Sequence, residues 1–145
     1  MKLVVARISV RNLQRKVAVD VVDLENFAAK ALKLCLQLPR KNAELLGLPE
    51  IAVLIVSDAR IAALHRKFMG EAGPTDVITF QHGEIFVSAE TARRQARRFE
   101  NSLNREMKLY IVHGLLHLHG FDDRNTRDAK RMGAVQSRIL ARASL

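Results

Sequence analysis

Four short stretches of the chain are rich in Val, Ile, Leu and Phe, and polar or turn-forming residues bound them. Such runs predict β-strands, which we place at residues 2–10, 51–56, 75–80 and 84–87. The second run is apolar almost throughout, which is typical of the centre of a sheet. Gln81-His82-Gly83 is a turn sequence between the last two runs, so these strands are predicted to form a hairpin.

Five further segments carry apolar residues at intervals of three and four, which is the period of an amphipathic helix. We place these helices at residues 24–36, 58–68, 88–99, 103–118 and 126–142, the first four with the capping residues Asp23, Ser57 or Asp58, Ser88 and Ser102. No repeat or low-complexity segment interrupts the pattern. The sequence predicts one α+β domain over residues 1–145, with a small mixed sheet of about four strands and about five helices.

The end of the fourth predicted helix carries the clearest candidate chemistry. His113 and His117 are four residues apart, so their side chains would lie on one face of the helix. Gly120 is a usual residue for ending a helix, and the carboxylates of Asp122 and Asp123 follow it. Two imidazoles and one carboxylate can hold a divalent metal and leave a coordination position open. The alternative is that both histidines are ordinary helix residues beside a core.

Residues 113–123, with the sequence HGLLHLHGFDD, resemble the signature of the YbeY family, His-Gly-x-Leu-His-Leu-x-Gly-Tyr-Asp-His. Residues 74–80, with the sequence PTDVITF, are similar to the family's Pro-Thr-Asp-Val-Leu-Ser-Phe. Gly83-Glu84-Ile85 resembles its Gly-Asp-Ile. Members of this family are regarded as metal-dependent endoribonucleases and rRNA maturation factors.

The resemblance implies a single-strand-specific endoribonuclease that acts in rRNA processing, at the 3′ end of small-subunit rRNA, and in ribosome maturation. It implies one divalent metal, with zinc as the first candidate, held by His113, His117 and Asp123. The same three residues are the candidate catalytic residues. The implied partners are an rRNA precursor and the small ribosomal subunit. Asp123 stands where the family has a third histidine, and Met69 stands where it has an arginine thought to act in catalysis.

Positive charge is concentrated in the part of the chain that carries the histidines. The chain has 24 Lys and Arg against 15 Asp and Glu, a net charge of +9, and residues 93–145 alone contribute +7. Such a surface attracts a polyanion, and we expect RNA to be the partner. The candidate contact residues share one predicted helix: Arg93, Arg94, Arg97 and Arg98. The alternative is a solvated face that serves solubility alone.

The sequence also disfavours a peptidase and shows no base-stacking surface. In His-Glu-x-x-His zinc proteases the general base stands directly after the first histidine, where this chain has Gly114, so a peptidase is disfavoured. Aromatic residues are only 5% of the chain and do not alternate with basic ones, so no base-stacking surface is visible. The alternative function that stays open is a non-catalytic RNA- or ribosome-binding assembly factor with a structural metal.

The expected location is the cytoplasm. No apolar run approaches the roughly 20 residues that span a bilayer, and the N-terminus lacks the apolar core of a signal peptide. The single cysteine, Cys35, excludes an internal disulfide and fits a reducing compartment. We therefore predict no association with a membrane.

Overall fold

The structure is a computed structural model that describes residues 6–39 and 44–145. In chain order its elements are β1 (Arg7–Asn12), α1 (Val21–Leu36), a 3-10 helix (Glu44–Gly47), β2 (Glu50–Val56), α2 (Asp58–Met69), β3 (Val77–Phe80), β4 (Glu84–Ser88), α3 (Ala89–Arg98), α4 (Leu103–Leu118) and α5 (Thr126–Ala143). The predicted α+β fold, with four strands and five α-helices among the described residues, is confirmed.

The four strands form one mixed sheet in the order β1-β2-β4-β3. β1 and β4 both run parallel to β2, which is the apolar central strand that the sequence predicts. β3 pairs antiparallel to β4 with Val77 opposite Val87 and Phe80 opposite Glu84, so the predicted hairpin is confirmed. β3 is therefore an edge strand.

The sheet separates two apolar clusters of unequal size. Because side chains alternate along a strand, Val53 and Ile55 of β2 face the larger cluster, while Leu54 and Val56 face the smaller one. Helices α1, α4 and α5 cover the larger cluster. Ile61 of α2 belongs to the smaller cluster on the other side. The candidate site is carried by α4, which packs against β3 and β4.

Some details of the predicted elements differ from the structure. The capping prediction for Asp23 was wrong, because Asp20 caps α1 and accepts a hydrogen bond from the backbone N–H of Asp23. The carboxylate of Asp23 instead bridges to α4, through Asn104 at 2.6 Å and Lys108 at 3.3 Å.

The first predicted strand begins at residue 2, but residues 2–5 lie outside the described part of the chain. Within the described residues, no helix is long and apolar enough to cross a membrane.

Candidate metal centre

Helix α4 lies unusually close to the sheet at Gly114. A Cβ atom at this position would stand 2.6 Å from Cγ2 of Ile85 in β4, so no larger residue fits without a shift of the helix or the strand. The neighbouring His113 and the following His117 are half-buried on the side of α4 that faces β3. The close approach at Gly114 therefore brings both imidazoles to the edge of the sheet.

The end of α4 turns the chain back towards these histidines. Gly120 has a φ of 93°, a conformation that glycine adopts without steric cost. The N–H of Gly120 donates to the carbonyl of His117 at 3.1 Å, and the N–H of Phe121 donates to that of Leu116 at 2.9 Å. This hydrogen-bond pair is the Schellman arrangement, which reverses the chain direction after a helix. It places Asp123, a few residues later, beside the histidine face.

The structure brings His113, His117 and Asp123 together. The two Nε2 atoms are 3.0 Å apart, and Oδ2 of Asp123 lies 3.6 Å from His113 Nε2 and 3.7 Å from His117 Nε2. One ligand atom from each residue lies within 4.8 Å of the others. Asp123 is thus where the sequence predicted a third ligand, one turn beyond the helix.

Both histidines are fixed through their other ring nitrogen. Nδ1 of His113 lies 2.9 Å from the side-chain oxygen of Gln136 in α5, and Nδ1 of His117 lies 3.1 Å from the carbonyl oxygen of Phe121. Since these oxygens can only accept, each Nδ1 carries the proton and donates it, which leaves both Nε2 atoms with free lone pairs. Outer contacts of this kind orient the imidazoles of metal sites.

The electrostatics of the site favour a neutral ring at His117. Burial lowers the pKa of His117, and the neighbouring His113 lowers it further, although Asp123 acts in the opposite direction. A neutral imidazole is the form that binds a metal. Two lone pairs that face each other at 3.0 Å repel unless a cation lies between them.

The donor set fits a divalent metal. Tetrahedral coordination at about 2.0–2.1 Å separates ligand atoms by about 3.3–3.4 Å. The three observed separations, 3.0, 3.6 and 3.7 Å, scatter around that value, so movements of a few tenths of an ångström suffice. Two nitrogens and one anionic oxygen suit Zn²⁺ and leave a fourth position open.

A cleft of about 230 Å³ gives access to the two histidines. It is lined by Met69, Val77, Ile78, Thr79, Gln81, His113 and His117. None of these lining residues is Lys or Arg. A larger open groove of about 650 Å³ is lined mainly by residues at the starts of β1, β2 and β4, and it includes neither His113 nor His117.

Neighbouring polar residues have other partners. His119 is buried and its Nε2 lies 2.8 Å from the carbonyl oxygen of Leu38, so it faces α1 rather than the cleft. Asp122 accepts hydrogen bonds from the backbone and the side chain of Arg124, at 3.1 and 2.6 Å. Neither residue joins the group of ligand atoms.

The arginines of α3 are not equivalent. Arg94 donates to Asp58 at 2.6 Å and to Thr91 at 3.1 Å, so it has a structural partner. Arg97 and Arg98 are exposed and Arg93 is half-buried, and among the described residues these three form no ion pair.

Known proteins resemble this chain over most of its length. Residues 9–144 match the sequence model of a family described as Endoribonuclease YbeY. The chain belongs to the YbeY family. The similarity that the histidine motif first indicates therefore extends over nearly all of the chain.

Individual YbeY relatives differ in how much of their length is matched. The Endoribonuclease YbeY of Pelotomaculum thermopropionicum is 34% identical, with 94% of this chain and 96% of the relative covered. That of an Anaeromyxobacter species is 38% identical over 65% of this chain, and that of Frankia casuarinae is 33% identical over 65%. The matched region spans only 54% and 57% of those two relatives.

A solved structure has the same fold. The solution structure of TM1509 from Thermotoga maritima superimposes with a TM-score of 0.64 at 28% identity, and the match covers 96% of this chain and 89% of that one. The YbeY assignment made from the motif thus agrees with the α+β architecture.

Sequence reasoning missed two contributors to the site. Gln136 had a readable signal, because it interrupts the apolar face of α5 formed by Met132, Val135 and Ile139. A polar residue within an apolar stripe faces the interior and needs a partner there. The carbonyl of Phe121 gave no signal, since a backbone acceptor is invisible in sequence.

Proposed function

We propose that this protein is a metal-dependent, single-strand-specific endoribonuclease that acts on the 3′ end of small-subunit rRNA during ribosome maturation. His113, His117 and Asp123 would hold one zinc ion and would be the catalytic residues. The observation that carries the proposal is the convergence of their three ligand atoms, with both histidines at the wall of an open cleft. Family membership supports the substrate class, RNA.

When bound, a divalent metal supplies Lewis acidity towards a phosphate oxygen and towards a water molecule. Gln136 and the carbonyl of Phe121 keep both Nδ1 atoms protonated, so that His113 and His117 present only Nε2. The carboxylate of Asp123 lowers the net charge of the centre by one unit. Gly114 leaves no room for a protein base next to His113, which fits chemistry on phosphodiesters better than on peptides.

The types of ligand atom are the reason for proposing zinc. Two imidazole nitrogens favour a borderline-soft metal, and a carboxylate is an accepted third ligand of catalytic zinc. The oxygen of Asp123 also makes the site more tolerant of a harder ion, such as Mn²⁺, than three imidazoles would be.

Arg93, Arg94, Arg97 and Arg98 are proposed to contact the RNA backbone. A helix with several exposed guanidinium groups binds phosphates without reading sequence. Each phosphate contact that is lost should reduce the slope of log K against log salt by about 0.7. Charge reversal of Arg97 and Arg98, which lack ion-pair partners among the described residues, is the sharper test, because reversal of Arg94 would also break its bond to Asp58.

A second candidate function rests on the lining of the cleft. Met69 occupies its wall, and no Lys or Arg lines it to offset charge that develops on a phosphate. A non-catalytic RNA- or ribosome-binding assembly factor with a structural metal would need no such cation.

The buried Cys35 supports a reducing location, which we propose to be the cytoplasm.

One experiment separates the two functions. Protein purified without a His tag would be analysed for metal and incubated with a small-subunit rRNA precursor. An endoribonuclease contains near-stoichiometric zinc and shortens the precursor, and His117→Ala loses both properties. Stoichiometric metal without cleavage by the parent protein would favour the assembly factor.

A further inference from the structure

Three ring side chains that are distant in sequence meet at the edge of the sheet. Phe68, at the end of α2, contacts Phe80 of β3 edge to face, with ring centroids 5.1 Å apart. His82, in the β3–β4 turn, stacks on Phe80, with ring centroids 5.7 Å apart and an interplanar angle of 20°. We call Phe68, Phe80 and His82 the aromatic strip. The sequence alone showed no such surface, because the fold assembles it.

Within the aromatic strip, Phe80 packs against the core and Phe68 is exposed to solvent. Phe80 also packs at 5.7 Å against Phe86, which is buried in the smaller core cluster. Phe68 remains 56% exposed although it is a large apolar side chain at the end of a helix. Phe80 thus anchors the strip to the core, and the exposed ring of Phe68, which packs on Phe80, offers the surface for a flat ligand.

The aromatic strip and the cleft of the metal centre are both formed in part by the same two segments, the ends of α2 and β3. Met69 follows Phe68 directly, and Gln81 follows Phe80, and both of these neighbours line the cleft together with the two histidines. The strip and the cleft therefore lie at the same edge of the sheet, next to β3.

A positive charge lies beside the aromatic strip. The ammonium of Lys67 lies 5.4 Å from the centre of the Phe68 ring. This arrangement offers a π face for a base and a cation for the adjoining phosphate, the two elements of single-strand recognition. A base within a duplex has both of its faces covered by its neighbours, so only an unpaired base can use such a surface.

We propose that the aromatic strip is a stacking subsite for an unpaired nucleobase of the RNA strand that enters the cleft, with Lys67 on the next phosphate. The proposal rests on the proposed function for the identity of its ligand. It adds a physical basis for a preference for single strands over duplexes.

The test uses the absence of tryptophan from the chain. Phe68→Trp introduces a single indole at the open end of the strip. A short unpaired oligoribonucleotide, in buffer with a chelator to prevent cleavage, is expected to quench its emission. A backbone of the same length without bases should leave the emission unchanged. Saturable RNA binding without quenching would overturn the proposal.

Two truncations separate stacking from apolar contact. Phe68→Ala should weaken binding of the unpaired oligonucleotide by about 5- to 150-fold, the effect of one stacked base. Phe68→Leu keeps an apolar side chain but loses the π face. Its affinity for the same oligonucleotide should therefore fall nearly as much. Leu13→Ala is the matched control, because Leu13 is 52% exposed and lies away from the strip.

The outcomes also distinguish this inference from the proposed function. Loss of affinity in Phe68→Ala and Phe68→Leu, with no change for a duplex, supports the strip even if the parent protein does not cleave RNA. Cleavage by the parent with unchanged affinity in both variants refutes the strip and leaves the proposed function intact. A parent that binds no single-stranded RNA at low salt refutes both.

Discussion

His113 and His117 point their Nε2 atoms at each other across 3.0 Å. Each Nδ1 proton is already donated to an oxygen, from Gln136 in one case and from Phe121 in the other. The two lone pairs are therefore held in place for a cation by contacts that come from outside α4. The strength of metal binding should depend on those contacts.

Gln136→Ala removes the acceptor that orients His113. We expect metal affinity to fall by about 10- to 100-fold, as is usual when an outer-shell partner is lost. Competition with a chromogenic chelator measures the change. Ser137→Ala, at the exposed neighbouring position, is the control and should bind as the parent does. Unchanged affinity in Gln136→Ala would mean that the packing of α5 alone orients the ring.

Asp123→His exchanges an anionic oxygen for a neutral nitrogen at the proposed third ligand position. Zinc should be retained longer against a chelator, because imidazole is the softer donor, while Asp123→Ala should release it faster. Asp122→Asn is the control, since that carboxylate is engaged by Arg124. If Asp123→His and Asp123→Ala both match the parent, the carboxylate does not bind the metal.

Gly114→Ala should destabilise the fold although alanine is the better helix former. The added Cβ would meet Ile85 at 2.6 Å, and such overpacking costs about 1–3 kcal/mol, which exceeds the helix-propensity gain of about 1 kcal/mol. Gly133→Ala in α5 meets no atom within 4 Å and should stabilise by about 0.5–1 kcal/mol. Urea denaturation measures both, and stabilisation of both variants would contradict the close packing at Gly114.

Asp58→Asn should change how stability depends on pH. Burial alone would raise the pKa of Asp58, but hydrogen bonds from Arg94, Ser88 and Thr91 outweigh it and hold the pKa below its ordinary value. The stabilisation is therefore present above the unfolded pKa of about 3.9 and is lost as pH falls through the lower folded pKa. We expect the variant to be about 1–3 kcal/mol less stable near neutral pH.

Denaturation of the Asp58→Asn variant at several pH values checks this expectation. The difference from the parent should shrink as both proteins are acidified below about pH 4. Glu100→Gln, which changes an exposed carboxylate, should follow the parent throughout. A constant difference at all pH values would show that the bonds to Asp58 do not favour its charged form.

Met69→Arg would place a guanidinium on the wall of a cleft that has no Lys or Arg. If the protein cleaves RNA, kcat should rise by on the order of 10-fold, because a cation there stabilises charge that develops on the phosphate. Leu13→Arg adds the same charge at another exposed position and should change only nonspecific affinity. Equal effects of the two variants would mean that net charge, not position, is responsible.

Most of the elements could be predicted because their local signals agree. Ser57, Ser88 and Ser102 each accept a bond from the first turn of the helix they precede, as the sequence indicates. The i, i+4 pair and Gly120 similarly predict the histidine face and the turn. Asp23 misled because a carboxylate in the first turn resembles a cap, whereas Asp20 was the better placed acceptor.

Contacts between segments that are distant in sequence could not be predicted from local sequence patterns. Nothing local indicates that Phe68 of α2 meets Phe80 of β3, since that contact depends on which face of the sheet α2 covers. The orientation of His113 depends in the same way on the packing of α5 against α4. Tertiary packing decides both, and only the fold reveals them.

The candidate ligands all come from residues 113–123, whereas the sheet beside them joins strands spread over residues 7–88. Helical turns form within about a microsecond, but pairing of distant strands must wait for large loops to close. The unfolded ensemble thus already offers a partial chelate for zinc. A ligand that also binds the unfolded chain raises the melting temperature by less than its native affinity implies. Thermal shifts on zinc addition should therefore understate the affinity of the folded protein for the proposed metal ion.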